Sequence, residues 1–332
     1  MLFKFLSNNE PLELDLLKQI KKSNYNISTL TRAVIIKIFR KSYKFFQRLF
    51  LKPSIRKKLS KLERLLFKNK IDLNKPDNFS SINSNINKFK KDSFAIIDNV
   101  FSKDEIKEIK KTFSSRKLKL DPIYGDFKKF SIKDRAIRAH TGYVPTEEIF
   151  KNEIIIKGAT NKDLLNTLKF YFGTSFKLDW IWCWWSIPSN KPLGPQLFHR
   201  DYESMNFVKF FVYLTDVNEN NGPHQIISGS HKDDFFYKRE RFDDNEIKKK
   251  YKKKINTICG DAGTNFLANT FSIHKGKLPK EKKRLVLVYL FSIVPSNRCP
   301  KLPFMNIKNI KDKKLLKEIK KNKKIFDQIY SF

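Results

Sequence analysis

Cysteine is scarce in this chain. Of 332 residues only Cys183, Cys259 and Cys299 are cysteines, and no two fall at a C-x-x-C spacing. That excludes a disulfide framework and a cysteine-built zinc site, and it fits a reducing cytoplasm. Long uncharged apolar runs are missing, so no segment reads as a bilayer span. The opening Met1-Leu2-Phe3-Lys4-Phe5-Leu6 meets polar and acidic residues too early for a secretory signal. Acidic residues are outnumbered, 34 against 69 basic, which leaves a net charge of +35. A Lys-rich solvated surface accounts for such a balance. Attraction to anionic lipid, nucleic acid or a phosphorylated substrate is the sharper alternative. No recognised nucleic-acid-binding motif is present, so nucleic acid is not an expected partner. Histidine is also rare, with His140, His199, His224, His231 and His274 as the full set. Any histidine-based metal site must be drawn from these five.

Hydrophobic residues make up 40% of the chain, enough for a folded protein with a sizeable core. Residues 1–88 read as a basic amphipathic helical extension and linker. The clearest helix runs from Ser28 to Lys52 and stops at Pro53. Lys37, Arg40, Lys41, Lys44 and Arg48 share one face, and Ile35, Ile38, Phe39, Phe46, Leu49 and Phe50 share the other. A second helix carries Ile55, Leu59, Leu62 and Leu66. The expectation is that the apolar stripes pack on the main domain and the basic face meets water. The alternative is that the helices lie on an anionic membrane surface. Leu73 to Asn87, rich in Asn and Ser, reads as a linker.

Residues 89–300 change character. Phe94 to Val100 reads as a strand, and Ser102-Lys103-Asp104-Glu105 has capping-box spacing for the helix that follows. Asp121 to Val144, with Arg135, Arg138 and His140, lacks a period and reads as a loop over a site. Asn161 to Phe172 reads as a helix ended by Gly173. Strands are expected over Phe176–Ile187, Phe207–Val217, His224–Ser228, Thr264–Ala268 and Arg284–Val294, separated by turns. Many short strands argue for a sandwich or barrel. Residues 301–332 read as a Lys-rich C-terminal helix.

The site begins at Gln196-Leu197-Phe198-His199-Arg200-Asp201. In extended backbone, side chains alternate, so His199 and Asp201 face one way and Arg200 the other. An imidazole and a carboxylate side by side make two-thirds of a facial site of two His and one carboxylate. His274, followed closely by Gly276, is the best candidate for the third ligand. Arg284 opens an apolar strand ten residues later. An arginine directed into a barrel needs an anionic partner, and its planar fork suits a carboxylate.

Taken in order, Phe94 to Lys110, Gln196-x-x-His199-x-Asp201, Asn221-Gly222-Pro223 with Ser228-Gly229-Ser230-His231, and His274 with Gly276 and Arg284 resemble the phytanoyl-CoA dioxygenase family. These are Fe(II)/2-oxoglutarate-dependent oxygenases, and the resemblance spans roughly residues 90 to 295. It implies a mainly β core with flanking helices, folded as a double-stranded β-helix (jelly roll) after an N-terminal helical extension. It implies that His199, Asp201 and His274 bind iron and that Arg284 holds the far carboxylate of 2-oxoglutarate, with Ser186 a further contact. It implies hydroxylation of a small or lipid-linked substrate, with desaturation or ring closure as alternatives, since related halogenases lack the carboxylate found here at Asp201; the positive charge of the chain favours an anionic substrate. The chain departs from the family pattern at His224, where an apolar residue is usual, and at Ser228, where proline is usual. His231 is expected to close a turn, His140 to lie at the surface, and the Trp180–Trp185 cluster to be core with one ring in the pocket. The competing readings are a non-catalytic jelly-roll binding protein and a membrane-surface interaction module. The expected location is cytoplasmic, with peripheral membrane attachment as the extension of that reading.

Overall fold

The computed structural model describes residues 27–68, 74–98, 100–120, 129–131, 140–238, 240–296, 299–300 and 303–332. Met1 to Leu6, Arg135 and Arg138 lie outside the described residues.

Two helices come first, α1 (Ile27–Leu49) and α2 (Pro53–Leu66), divided where Pro53 takes the first helical position of α2. Their orientation reverses the expectation. Lys37, Arg40 and Gln47 of α1 and Arg56 and Glu63 of α2 are buried, whereas Ile35, Ile38, Phe46, Leu49, Leu62 and Leu66 are exposed. Polar pairing explains the reversal. Arg40 donates to the carbonyls of Cys299 (2.6 Å) and Pro300 (2.9 Å) and to Gln328 Oε1 (2.7 Å). Arg56 donates to Ser204 O (2.7 Å) and lies over the rings of Phe271 and Tyr202. Glu63 accepts from Tyr43 and from Asn206 Nδ2 (2.5 Å). Arg40, Arg56 and Glu63 thus find partners on the domain, which removes most of the cost of burying them.

The stretch expected as a linker is partly a helix, α3 (Phe79–Asp92). Ile82, Ile86 and Phe89, spaced by four and three, form its buried stripe, and Phe79 meets Phe170 edge to face. Asn and Ser on its other sides hid that stripe in the composition. Ser93 then ends α3 in a left-handed conformation (φ 74°).

Short strands and helices follow: β1 (Phe94–Ile96), α4 (Lys103–Ser114), β2 (Lys117–Leu120), β3 (Lys129–Ser131), β4 (Thr141–Tyr143), α5 (Thr146–Lys151), α6 (Glu153–Ala159) and α7 (Lys162–Phe172). The Ser102/Glu105 capping box forms as expected, and Gly173 closes α7 at φ 67°. The remaining strands are β5 (Lys177–Ser186), β6 (Phe207–Tyr213), β7 (His224–Ile227), β8 (Ile255–Ile258), β9 (Asn265–Ala268), β10 (His274–Gly276) and β11 (Arg284–Ser292), with α8 (Asp244–Tyr251) before β8. The tail, expected as one helix, is a parallel pair β12 (Met305–Asn306) and β13 (Tyr330–Ser331) around α9 (Lys313–Lys321) and α10 (Lys323–Phe326). Asp312 caps α9, and Leu315, Ile319 and Phe326 join the main core.

The larger sheet has the order β1-β9-β6-β11-β5-β4-β2-β3, and a smaller one the order β10-β7-β8. Every pairing in both is antiparallel. Strand β11 is buried along its whole length. One of its sides carries Arg284, Val286 and Val288 into a cavity, and on the other Tyr289 donates to Ile155 O of α6 (2.8 Å). The small sheet stands over the large one, with the rings of Phe211 and His224 at 4.8 Å. The site lies between the two sheets.

Candidate active site

His199 and His274 face each other across an antiparallel bridge. Each backbone N–H donates to the other's carbonyl at 3.0 Å, and the rings lie 4.3 Å apart. Asp201 N–H donates to Thr270 O (2.8 Å), which carries the pairing two residues further. His199 and Asp201 therefore stay on one side. Arg200 turns away, as the alternation requires, and its guanidinium binds the carbonyls of Phe236, Phe271, Asp233 and Phe235.

Both imidazoles are oriented by their own backbone. His199 Nδ1 lies 2.8 Å from Leu197 O, and His274 Nδ1 lies 2.9 Å from Ser272 O. A carbonyl only accepts, so both Nδ1 atoms carry the proton and both Nε2 atoms keep a free lone pair. His199 Nε2 is 3.6 Å from Asp201 Oδ1, and His274 Nε2 is 3.4 Å from Asp201 Oδ2. The three ligand atoms lie within 4.8 Å of one another. Ligands at right angles around a metal at about 2.1 Å stand about 3 Å apart. The two histidine-to-carboxylate distances, 3.6 Å and 3.4 Å, are slightly wider than that, and a bound ion would draw the ligands closer.

The electrostatics fit the same use. Burial, followed by the neighbouring His274, pushes the His199 pKa well below the ordinary histidine range. The ring is neutral at pH 7, so its approach to Asp201 is not an ion pair. Burial alone would raise the Asp201 pKa, but Lys209 and then His274 outweigh it and hold the carboxyl well below its usual range. Lys209 Nζ donates to Asp201 Oδ2 at 2.7 Å and lies 3.5 Å from Glu203. Two imidazoles and one ionised carboxylate are the donor set of a facial divalent-metal site.

The cavity beside these ligands has a volume of about 220 Å³. Arg284 is buried in its wall, donating to Ser186 Oγ (3.0 Å) and to Gly222 O, and its Nε has no partner. It has no carboxylate partner among the described residues. A buried cation without a counter-charge is costly, and an anion beside Arg284 would offset that cost. Gly276 keeps room there, since a Cβ on it would meet Arg284 Nη2 at 3.1 Å. His224 Nε2 and Gln196 Nε2 are also buried without partners in the same wall.

The structure thus brings together His199, Asp201, His274, Arg284 and Ser186. His140 lies elsewhere, with Ser189 Oγ at 2.7 Å from its Nδ1, and His231 bonds Ser93 in the turn where it was expected. Trp182 and Trp184 both line the cavity, one more ring than expected. Sequence reading missed Lys209. The available signal was its parity with Phe211 and Tyr213 in Phe207-Val208-Lys209-Phe210-Phe211-Val212-Tyr213, which puts one charge on the inward side of an apolar strand.

Two imidazole nitrogens and an ionised carboxylate thus converge beside a buried arginine, a donor set that suits a divalent metal. The family model described as phytanoyl-CoA dioxygenase (PhyH) matches residues 89–277, more than half of the chain, and the chain belongs to that family. The family depends on Fe(II) and 2-oxoglutarate. Arg284 lies beyond the matched segment and stands on its geometry. No curated relative matches the chain. Among solved structures, the chain is similar to SnoN, a non-heme alpha ketoglutarate dependent epimerase from nogalamycin biosynthesis, at 13% identity and a TM-score of 0.44, covering 64% of this chain and 82% of that one. HygX from Streptomyces hygroscopicus with nickel and 2-oxoglutarate bound is similar at 15% identity and a TM-score of 0.43, covering 63% and 86%. AviO1 from Streptomyces viridochromogenes Tue57 is similar at 13% identity and a TM-score of 0.42, covering 67% and 96%.

Proposed function

We propose that this chain is an Fe(II)- and 2-oxoglutarate-dependent dioxygenase that hydroxylates an unactivated C–H of a small or lipid-like, anionic substrate. The observation that carries the reading is one cavity lined by both His199/Asp201/His274 and a buried Arg284 lacking a counter-ion. In this reading the fold is a double-stranded β-helix (jelly roll) spanning residues 89–300, flanked by the helical extension (1–88) and the C-terminal segment (301–332).

His199, Asp201 and His274 would hold the iron, and Arg284, with Ser186 beside it, would hold the far carboxylate of 2-oxoglutarate. The bound iron and cosubstrate supply the oxidising power, with O₂ consumed and succinate and CO₂ released. The chain's own residues do the rest. Leu197 O and Ser272 O fix the imidazole tautomers, as carbonyls behind metal-bound histidines do. Lys209 keeps Asp201 ionised and fixes its rotamer. Trp182, Trp184, Tyr143 and Val288 form an apolar wall that excludes water and positions one C–H of the substrate. The net charge of +35 favours an anionic group on that substrate. A peripheral membrane location is the companion proposal and is carried by α1 and α2.

Anaerobic titration of metal-free protein with Fe(II) and then 2-oxoglutarate tests the site. A succinate-coupled substrate screen under O₂ then tests the activity. Saturable binding of Fe(II) near one equivalent, followed by 2-oxoglutarate binding that depends on it, is expected. Binding of neither would return the chain to a non-catalytic jelly roll.

A further inference from the structure

The helices α1 and α2 turn their polar sides to the domain and their apolar sides outward. On α1, Ile35, Ile38, Phe46 and Leu49 stand at offsets of 0, 3, 11 and 14 residues, which fall on one helical stripe. On α2, Leu62 and Leu66 continue the apolar exposure, Leu66 at 71%. Soluble proteins rarely leave so many large apolar side chains together on two adjoining helices without use. The inward side cannot be exchanged for the outward one, because Arg40, Arg56 and Glu63 are bonded to the domain.

Charge selects the occupant. Between residues 27 and 68 the only acidic residue is Glu63, and it is buried. Exposed Lys57, Lys58 and Lys61 flank the apolar side of α2, and exposed Arg48 flanks that of α1. No helix among the described residues is long and apolar enough to cross a membrane. Apolar side chains bordered by lysines, with no exposed carboxylate carried by either helix and Asp234 the acidic neighbour at Ser54, match an anionic lipid surface. The rings and leucines enter the acyl boundary there, and the lysine stems reach up to the headgroups. A protein groove would need acidic complements placed one by one, whereas a bilayer with anionic headgroups satisfies the lysines in any rotation.

We propose that the outward face of α1 and α2 docks this protein on an anionic membrane surface. The docking is independent of iron and 2-oxoglutarate, so it stands or falls apart from the oxygenase reading.

The test is co-sedimentation of the full chain with vesicles at low salt. Equimolar phosphatidylcholine–phosphatidylglycerol vesicles are compared with pure phosphatidylcholine vesicles. Binding to the anionic vesicles, weakened by salt, is expected. Each neutralisation among Lys57→Gln, Lys58→Gln and Lys61→Gln should weaken it about fivefold. The pair Phe46→Ser and Leu49→Ser should weaken it by a further tenfold or more. Thermal midpoints of these variants should match wild type, which separates lost docking from lost folding. Three results would overturn the proposal. One is no binding to anionic vesicles. Another is equal binding to both vesicle types. The third is a lipid-free dimer, broken by Phe46→Ser and Leu49→Ser, that leaves vesicles unbound, because the occupant would then be a second copy.

Discussion

Two regions of this protein bury charge, and they treat it differently. Under α1 and α2, Arg40, Arg56, Tyr43 and Glu63 are bonded to domain residues, and among the described residues there only Arg56 Nη1 is left without a partner. In the cavity, two imidazole lone pairs, Arg284 Nε, His224 Nε2 and Gln196 Nε2 are left over around one space. The first region uses polar groups as internal fasteners. The second holds them ready for something that arrives. Burial alone does not separate structure from function here; the unspent hydrogen bonds do.

The comparison is broken most severely at the ligands. His199→Ala, Asp201→Ala or His274→Ala should abolish turnover and iron retention while the melting transition stays cooperative, as metal analysis and circular dichroism would show. Normal iron content in Asp201→Ala would remove that residue from the site. Next comes Arg284→Met, which should raise the 2-oxoglutarate concentration for half-saturation about 30-fold or more with iron content unchanged. Arg284→Lys should recover part of the loss, because an ammonium restores charge without the planar fork.

On the closed side, Glu63→Ala should lower stability by about 3 kcal/mol in denaturant unfolding. It strands Asn206 and Tyr43 while leaving 2-oxoglutarate affinity near wild type. The smallest effect concerns His231, beneath α2. Burial, then Lys232, pushes its pKa down to about 4. The unfolded chain, with an ordinary histidine, then binds more protons than the folded one between about pH 4 and 6.5, so stability rises with pH through that window. Acidification from about pH 7 to about pH 5 should cost wild type about 2 kcal/mol more than His231→Gln.

The sequence made the centre legible because its rules are local. Period-two alternation set His199 and Asp201 together, and the spacing from His274 to Arg284 gave the rest. What stayed hidden depends on distant partners. Amphipathicity says that the two faces of α1 differ but not which one is inside. The answer lay in carbonyls of Cys299 and Pro300, about 260 residues away in the chain. The stripe Ile82/Ile86/Phe89 was diluted by Asn and Ser, so α3 passed for a linker. Lys209 could be assigned to Asp201 only once the path of the loop between them was known.

Arg56 has a mechanical consequence. Its guanidinium is seated against Tyr202 and Phe271. Tyr202 follows Asp201 directly in the chain, and Phe271 follows Thr270, whose carbonyl holds the Asp201 amide. Arg56 thus fastens α2, whose outer side is exposed, to the residue next to Asp201.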